Sequence, residues 1–320
     1  MTHGAMTKTA AWASGVASDP GLVRPENQDR AYADDELGIF LVVDGLGGHA
    51  GGEKAAETAV QAIREEMAKA DGDPKERIRL AITAANNRIY QEATSNETWR
   101  GMACVLTLAL ISDDKVFVGH VGDSRLYLTW NGAIRKLTSD HSPVGEREDA
   151  GELNEAEAMT HPRRHEVFRD VGSRPRLPDE EDFIEMKEFL FKPDAAILLC
   201  SDGLSDLLTS AEMLQVMERY EGDPAQVAGE LVDAANLVGG SDNITAIFVA
   251  GSEFLGNASP AAAEARARNA ITKARDGVGE PAARASRGTV AGLLTTRVAF
   301  LIYGFVLGVV LALALRWPKP

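Results

Sequence analysis

Residues 125–137 read RLYLTWNGAIRKL. Two strand-like runs flank an Asn-Gly pair, the dipeptide preferred in tight two-residue hairpins. At least part of the sheet is therefore antiparallel. Working outward, apolar strand-like runs occur at GIFLVV (38–43), ACVLTLALI (103–111), KVFVGHVG (115–122), AAILLC (195–200) and ITAIFVA (244–250). Between them, Ala56, Ala59, Val60, Ile63 and Met67 recur at helical spacing and predict a helix from Glu53 to Ala70. Further helices are expected near Lys75–Ala93, Ala211–Arg219 and Pro224–Leu237. Strands at both ends with helices inserted between them predict an α+β domain rather than alternating βαβ units. This domain is expected over residues 11–251, after a tail at 1–10, with no internal repeat.

The 320 residues carry a net charge of −15, with 45% hydrophobic and 25% charged residues, an ordinary composition for a protein with a buried core. The charge is uneven. Residues 252–320 hold nine basic and four acidic residues, a balance of +5, which leaves −20 on residues 1–251. So acidic a domain is a poor nucleic-acid binder, since phosphate contacts need a basic surface. It suits cations or basic peptides instead. Cys104 and Cys200 both lie in apolar runs and read as small buried hydrophobes. No Cys/His cluster marks a zinc site.

Residues 252–292 are rich in Ala, Arg, Gly and Pro and read as a linker, with room for a short helix near Ala261–Arg275. Residues 298–315, VAFLIYGFVLGVVLALAL, are all apolar or glycine. As a helix they would span about 27 Å, close to a bilayer core. Arg297 and Arg316 bracket the run and Trp317 follows it. The expectation is a single transmembrane anchor. The absence of a signal-peptide pattern and the cysteine usage place the large domain in the cytoplasm, at the cytoplasmic membrane face. Gly304 and Gly308 form a GxxxG pair that can bring two helices close, which would give a weak dimer.

Four aspartates share one setting. Asp44, Asp123, Asp202 and Asp242 each stand where an apolar run meets a turn, in VVDG, VGDS, CSDG and GSDN. One such aspartate is usually a turn residue or a helix cap. Four of them, if stacked sheets bring their ends to one edge, would repel strongly unless cations neutralise them. Oxygen-only ligands suit Mg²⁺ or Mn²⁺, and paired ions of that kind serve phosphoryl hydrolysis. Asp44 is the natural bridge between two ions, and Gly45 frees its own carbonyl to reach one. The glycines of LVVDGLGGHAGG (41–52) make room around the site, and with no GK[ST] following, a P-loop is excluded. In GLVRPENQDR (21–30), Arg24 is suited to a bidentate grip on phosphate, or is a surface residue of a turn.

The ordered set GLVRPENQDR, VVDGLGGHAGGE, HVGDSRLYL, SDHS, THPRR, CSDGLSD and GGSDNITAIFV resembles the bacterial branch of the metal-dependent serine/threonine protein phosphatases, protein phosphatase 2C, over about residues 13–250. The resemblance implies a four-layer α–β–β–α sandwich with metals in a cleft between two antiparallel sheets. It implies that Asp44 bridges two Mn²⁺ or Mg²⁺ ions, that the Gly45 carbonyl binds one, and that Asp202 and Asp242 hold the other. Asp123 would support a third ion. Asp29 would order water at the metals, Arg24 would bind phosphate, and Asn243 would brace its loop. Residues 142–175 correspond to a mobile flap, whose His161, Arg163 and Arg164 either touch a phosphopeptide or belong to a structural loop.

The implied activity is hydrolysis of phosphoserine and phosphothreonine in proteins, by in-line attack of a water bridging the two ions. Partners would be phosphorylated proteins, either Ser/Thr kinases and their substrates or a sensor or sigma-factor antagonist. The alternative is a regulatory or binding module that has lost catalysis on the same fold. Two departures bear on this choice. Animal members place a histidine after the Asp-Gly pair as general acid, whereas this chain has Leu46, and His49 nearby reads better as a structural histidine. The family usually shows Gly-Thr-Thr where this chain has Ala103, Cys104 and Val105, a change expected to alter packing without removing a metal ligand.

Overall fold

The computed structural model describes residues 11–48, 50–69 and 72–256. The tail 1–10, His49, most of the linker, the apolar run 298–315 and the Gly304/Gly308 pair lie outside the described residues. Among the described residues no helix is long and apolar enough to cross a membrane.

The chain runs β1 (Trp12–Asp19), β2 (Arg30–Asp34), β3 (Ile39–Leu46), α1 (Ala50–Met67), α2 (Pro74–Ser95), β4 (Ala103–Ser112), β5 (Lys115–Val121), β6 (Arg125–Trp130), β7 (Ala133–Lys136), α3 (Pro143–Asp149), α4 (Glu155–Met159), β8 (Glu185–Leu190), β9 (Ala196–Cys200), α5 (Asp202–Ser205), α6 (Ser210–Met217), α7 (Pro224–Leu237) and β10 (Ile244–Gly251). Among the described residues, ten strands form two five-stranded antiparallel sheets, ordered β1-β10-β9-β6-β7 and β2-β3-β4-β5-β8. The hairpin read from residues 125–137 is β6–β7, with Trp130 paired to Ala133. Asn131 and Gly132 both take positive φ, 53° and 68°, as a type I′ turn requires.

Strand periodicity builds the layers. On β3, Ile39, Leu41 and Val43 pack with Ile63, Ile78 and Ile82 of α1 and α2. Phe40 and Val42 point the other way, into a second cluster with Val118, Leu126, Ile197, Leu199 and Ile247 between the sheets. On β9, Leu198 and Cys200 face a third cluster that includes Met213 of α6 and Val227 and Leu231 of α7. The result is the expected α–β–β–α sandwich. Continuing the same alternation, Asp44 of β3 and Ser201 after β9 fall on the inter-sheet side, at its edge.

The predicted helices are present with local start signals. Asp73 caps α2 by accepting from Lys75 and Glu76 N–H, and Pro74 occupies the first turn. Thr209 and Glu212 form a capping box on α6. The first helix starts at Ala50 rather than Glu53 and ends at Met67. Three strands, β1, β2 and β8, escape sequence reading. Each is a sheet edge of mixed polarity, and β1 and β8 take their pairing from the distant β10 and β5. Gly15 of β1 abuts α7 so closely that a Cβ would sit 2.1 Å from Ala225 N. Gly15→Ala is therefore expected to cost about 3 kcal/mol, the upper range for overpacking a filled interior. Urea unfolding of the two proteins checks this, and equal midpoints would show that the strand–helix contact is looser.

Candidate metal and phosphate site

The carboxylates arrive from both sheets. Asp44 lies within β3 and Asp123 in the turn between β5 and β6, whereas Asp202 opens α5 after β9 and Asp242 precedes β10. Asp44 does not end its strand, as the apolar run suggested. Pairing with β4 continues through Gly45 and Leu46, and Asp44 stands opposite Val105. Ladder bonds extend the strand past the point where its hydrophobic signal stops. All four aspartates line one cleft of about 490 Å³, together with Arg24, Gly45, Leu46, His165 and Asn243.

Burial and mutual repulsion mark this as a cation site. Burial, then the charges of Asp29, Asp202, Asp123 and Asp242, push the Asp44 carboxyl well above its ordinary range. Asp123 is pushed up by burial and by Asp202, Asp140 and Asp206, with Arg125 opposing. Among the described residues, buried oxygens of Asp29 and Asp202 (Oδ1 in each) have no hydrogen-bond partner. The glycines pack the backbone around the carboxylates. A Cβ on Gly45 would lie 2.2 Å from the Gly52 carbonyl and 2.8 Å from that of Gln28. Loop, strand and helix start can approach only because the side chain is missing. An all-oxygen donor set with orphaned lone pairs fits hard divalent cations.

Asp29 sits behind the cleft, only 2% exposed. Ser201 Oγ donates to its Oδ2 at 2.7 Å. Burial pushes its pKa up to about 7, against the hydrogen bonds from Ser201 and Thr245. Asn243 clamps the loop before it, donating from Nδ2 to the Pro20 and Glu26 carbonyls and accepting at Oδ1 from Gln28 N–H. That loop carries Arg24, whose Nη2 donates to Asp242 Oδ2 at 2.8 Å. The guanidinium side chain remains 55% exposed at the cleft rim. Asp242 raises its already high pKa, so Arg24 stays cationic beside the carboxylates.

In segment 142–175 the three named residues follow the structural-loop alternative. His161 contacts Arg147, Arg163 is paired with Glu166, and Arg164 with Asp206 at 3.0 Å. None of the three lines the cleft. His165 and Val167 do. The His165 Nδ1 lies 3.8 Å from Asp202 and 3.5 Å from Asp206. Each charged residue of THPRR is engaged by another side chain of the protein. Arg164–Asp206 and the Ser210 bonds to Glu155 tie the segment down on one side. A two-way bridge between Val171 and Cys104, at 3.0 and 2.8 Å, ties it on the other. Cys104 and Cys200 are both free and buried. Burial pushes the Cys104 thiol up well above its usual range and Cys200 to about 12, so neither is primed for redox chemistry.

Behind Asp123, His120 and His141 stack with ring centroids 4.9 Å apart. Burial, His120 and Arg169 push His141 down to about 3, and burial also lowers His120. Both therefore stay neutral in the fold. An unfolded histidine takes up its proton near pH 6.5. Below that value the unfolded state binds protons that the folded state refuses, so stability falls as pH drops toward 3. His141→Gln is expected to flatten this acid limb. Urea midpoints from pH 7 to pH 4 would show it, and identical slopes in the two proteins would refute the assignment.

An edge-of-sandwich cleft that gathers four aspartates beside a cationic arginine can hold divalent cations and a phosphate group. The protein phosphatase 2C family model matches residues 25–233, and the chain belongs to that family. The serine/threonine phosphatase stp of Listeria innocua is 33% identical over 242 residues, which cover 72% of this chain and 93% of that protein. Serine/threonine protein phosphatase PstP of Mycobacterium tuberculosis is 32% identical over 231 residues, 72% of this chain but 43% of that longer protein. Among solved structures, the M. tuberculosis phosphatase PstP/Ppp superposes with a TM-score of 0.67 at 29% identity, covering 75% of this chain and 98% of that one. The catalytic domain of PstP in complex with two manganese ions gives 0.66 at 28% identity, over 75% and 97% of the two chains.

Proposed function

We propose that this protein hydrolyses phosphoserine and phosphothreonine in proteins, with Mn²⁺ or Mg²⁺ as cofactor. The observation that carries the reading is the meeting of Asp44, Asp123, Asp202 and Asp242 from two sheets in one cleft, with Arg24 at its rim. Asp44 and the Gly45 carbonyl would hold one ion, and Asp44, Asp202 and Asp242 the other, with Asp123 supporting a third. Bound there, such ions supply Lewis acidity that activates water and neutralises phosphate charge. The chain's own groups do the rest. Arg24 is placed to leave Asp242 and grip the phosphate oxygens as a bidentate donor. Asp29, anchored by Ser201, is placed to accept a proton or hold water at the back of the site. Leu46 lines the cleft and has no proton to give, so the leaving group takes its proton from water in this reading.

The binding-module alternative rests on Ala103, Cys104 and Val105. These residues pack on β4 and contribute no side chain to the cleft lining, which favours the enzyme. The full-length protein is expected to hydrolyse p-nitrophenyl phosphate and a phosphothreonine peptide in Mn²⁺ and to lose both activities in EDTA. Hydrolysis that persists in EDTA would defeat the metal assignment.

The same reading places the catalytic domain at the cytoplasmic membrane face, held by residues 298–315, with Gly304 and Gly308 available for helix pairing. It rests on the length and flanks of that apolar run. Alkaline carbonate that released the full-length protein from membranes would argue against an anchor. The substrates in this reading are proteins phosphorylated by Ser/Thr kinases.

A further inference from the structure

We infer that an apolar corner beside Arg24, made by Leu22, Val23, Leu237 and Val238, receives an apolar side chain of the phosphorylated protein substrate. The inference rests on the phosphatase reading and adds a specificity element to it.

Leu237 is 88% exposed, Leu22 69%, Val23 68% and Val238 57%. The other large apolar side chains exposed on the described surface, such as Leu37, Leu177 and Leu190, stand singly along the chain, which is ordinary. A cluster is not, because contiguous exposed apolar surface marks an interaction site. The two halves of this cluster are distant in sequence and joined in space. Leu22 N–H donates to the Gly240 carbonyl at 2.7 Å, and a Cβ on Gly240 would lie 2.9 Å from the Leu22 side chain. Leu237 and Val238 end α7 just before that contact.

The corner is held rigid. Gly21 N–H bonds Asp19, and Asn243 clamps Pro20 and Glu26 on either side of Leu22 and Val23. A pre-formed apolar surface binds without paying to order itself. It is also continuous with the cleft, since Arg24 follows Val23 directly and Arg24, Pro25 and Glu26 line the cavity. An extended peptide advances about 3.3 Å per residue. A chain whose phosphate meets Arg24 thus reaches the corner within about three residues.

The test is steady-state hydrolysis by the full-length protein in Mn²⁺. Phosphothreonine peptides would carry one leucine moved through the three positions on each side of the phosphorylated residue, against an all-serine flank. At one of these positions leucine is expected to raise kcat/KM about fivefold, through KM, the order of magnitude expected for burying a small part of an apolar side chain. The double variant Leu22→Ser, Leu237→Ser should erase that preference while keeping wild-type rates on p-nitrophenyl phosphate. Both substitutions are at exposed positions where stability is little affected. No preference for leucine at any position in the wild type, or a preference unchanged in the variant, overturns the inference. So does a variant whose only change is a lost dimer in sedimentation or lost vesicle binding, which would assign the corner to a second copy or to lipid. Absence of p-nitrophenyl phosphate hydrolysis by the wild type would instead strike the phosphatase reading itself.

Discussion

Asp44→Ala is expected to abolish Mn²⁺-dependent hydrolysis of p-nitrophenyl phosphate, with kcat lowered at least about a thousandfold, or about 4 kcal/mol of transition-state stabilisation. Asp44 sits between the carboxylates of both sheets, and its own carboxyl feels all of them. In the proposed reading, removing it takes away the carboxylate that would be shared by two ions. Folding should not suffer. In the metal-free protein this buried carboxyl is a source of repulsion, so the variant should be as stable as the parent without metal, or more so. Measuring kcat and urea unfolding side by side separates the two effects. A variant that retains activity would remove Asp44 from the site, and one that fails to fold would show that the carboxylate has a structural partner.

Mn²⁺ should raise the melting temperature of the wild type by about 5–10 °C at a hundred times its dissociation constant. The site forms only in the folded chain, so binding adds about 2.7 kcal/mol of stability by mass action. For a domain of this size each kcal/mol corresponds to roughly 2–4 °C. Asp202→Asn and Asp242→Asn should each lose most of this shift, because each removes a charged ligand from the side of the cleft built by β9 and β10. Scanning calorimetry with and without Mn²⁺ measures the shift. An unshifted wild type, or variants that respond as the wild type does, would mean that the ions bind elsewhere.

The site was legible in outline because its ligands lie beside strong local signals. Asp44, Asp123 and Asp202 each follow an apolar run long enough to recognise and Asp242 stands just before one, and the Asn-Gly hairpin exposed the antiparallel sheet. Helices α2, α6 and α7 announced themselves through caps and apolar spacing, which are local properties of the chain. The edge strands did not. RAYAD and EMKEFL are strands because β3 and β5 pair with them, and pairing energy from another segment leaves no periodic mark on a short, half-buried run.

Sequence by itself therefore determined the α+β class and picked out the four aspartates and the arginine that the fold gathers in one cleft. Tertiary structure alone decided that Asp44 lies inside its strand, opposite Val105, and that His165 rather than His161 or Arg163 faces the cleft. It alone joined Leu22 and Val23 to Leu237 and Val238. The reason is physical. Residue type and spacing set local conformation and hydrophobic pattern. Which side chains meet depends on register and on sheet stacking, and these are settled by contacts between segments far apart in the chain.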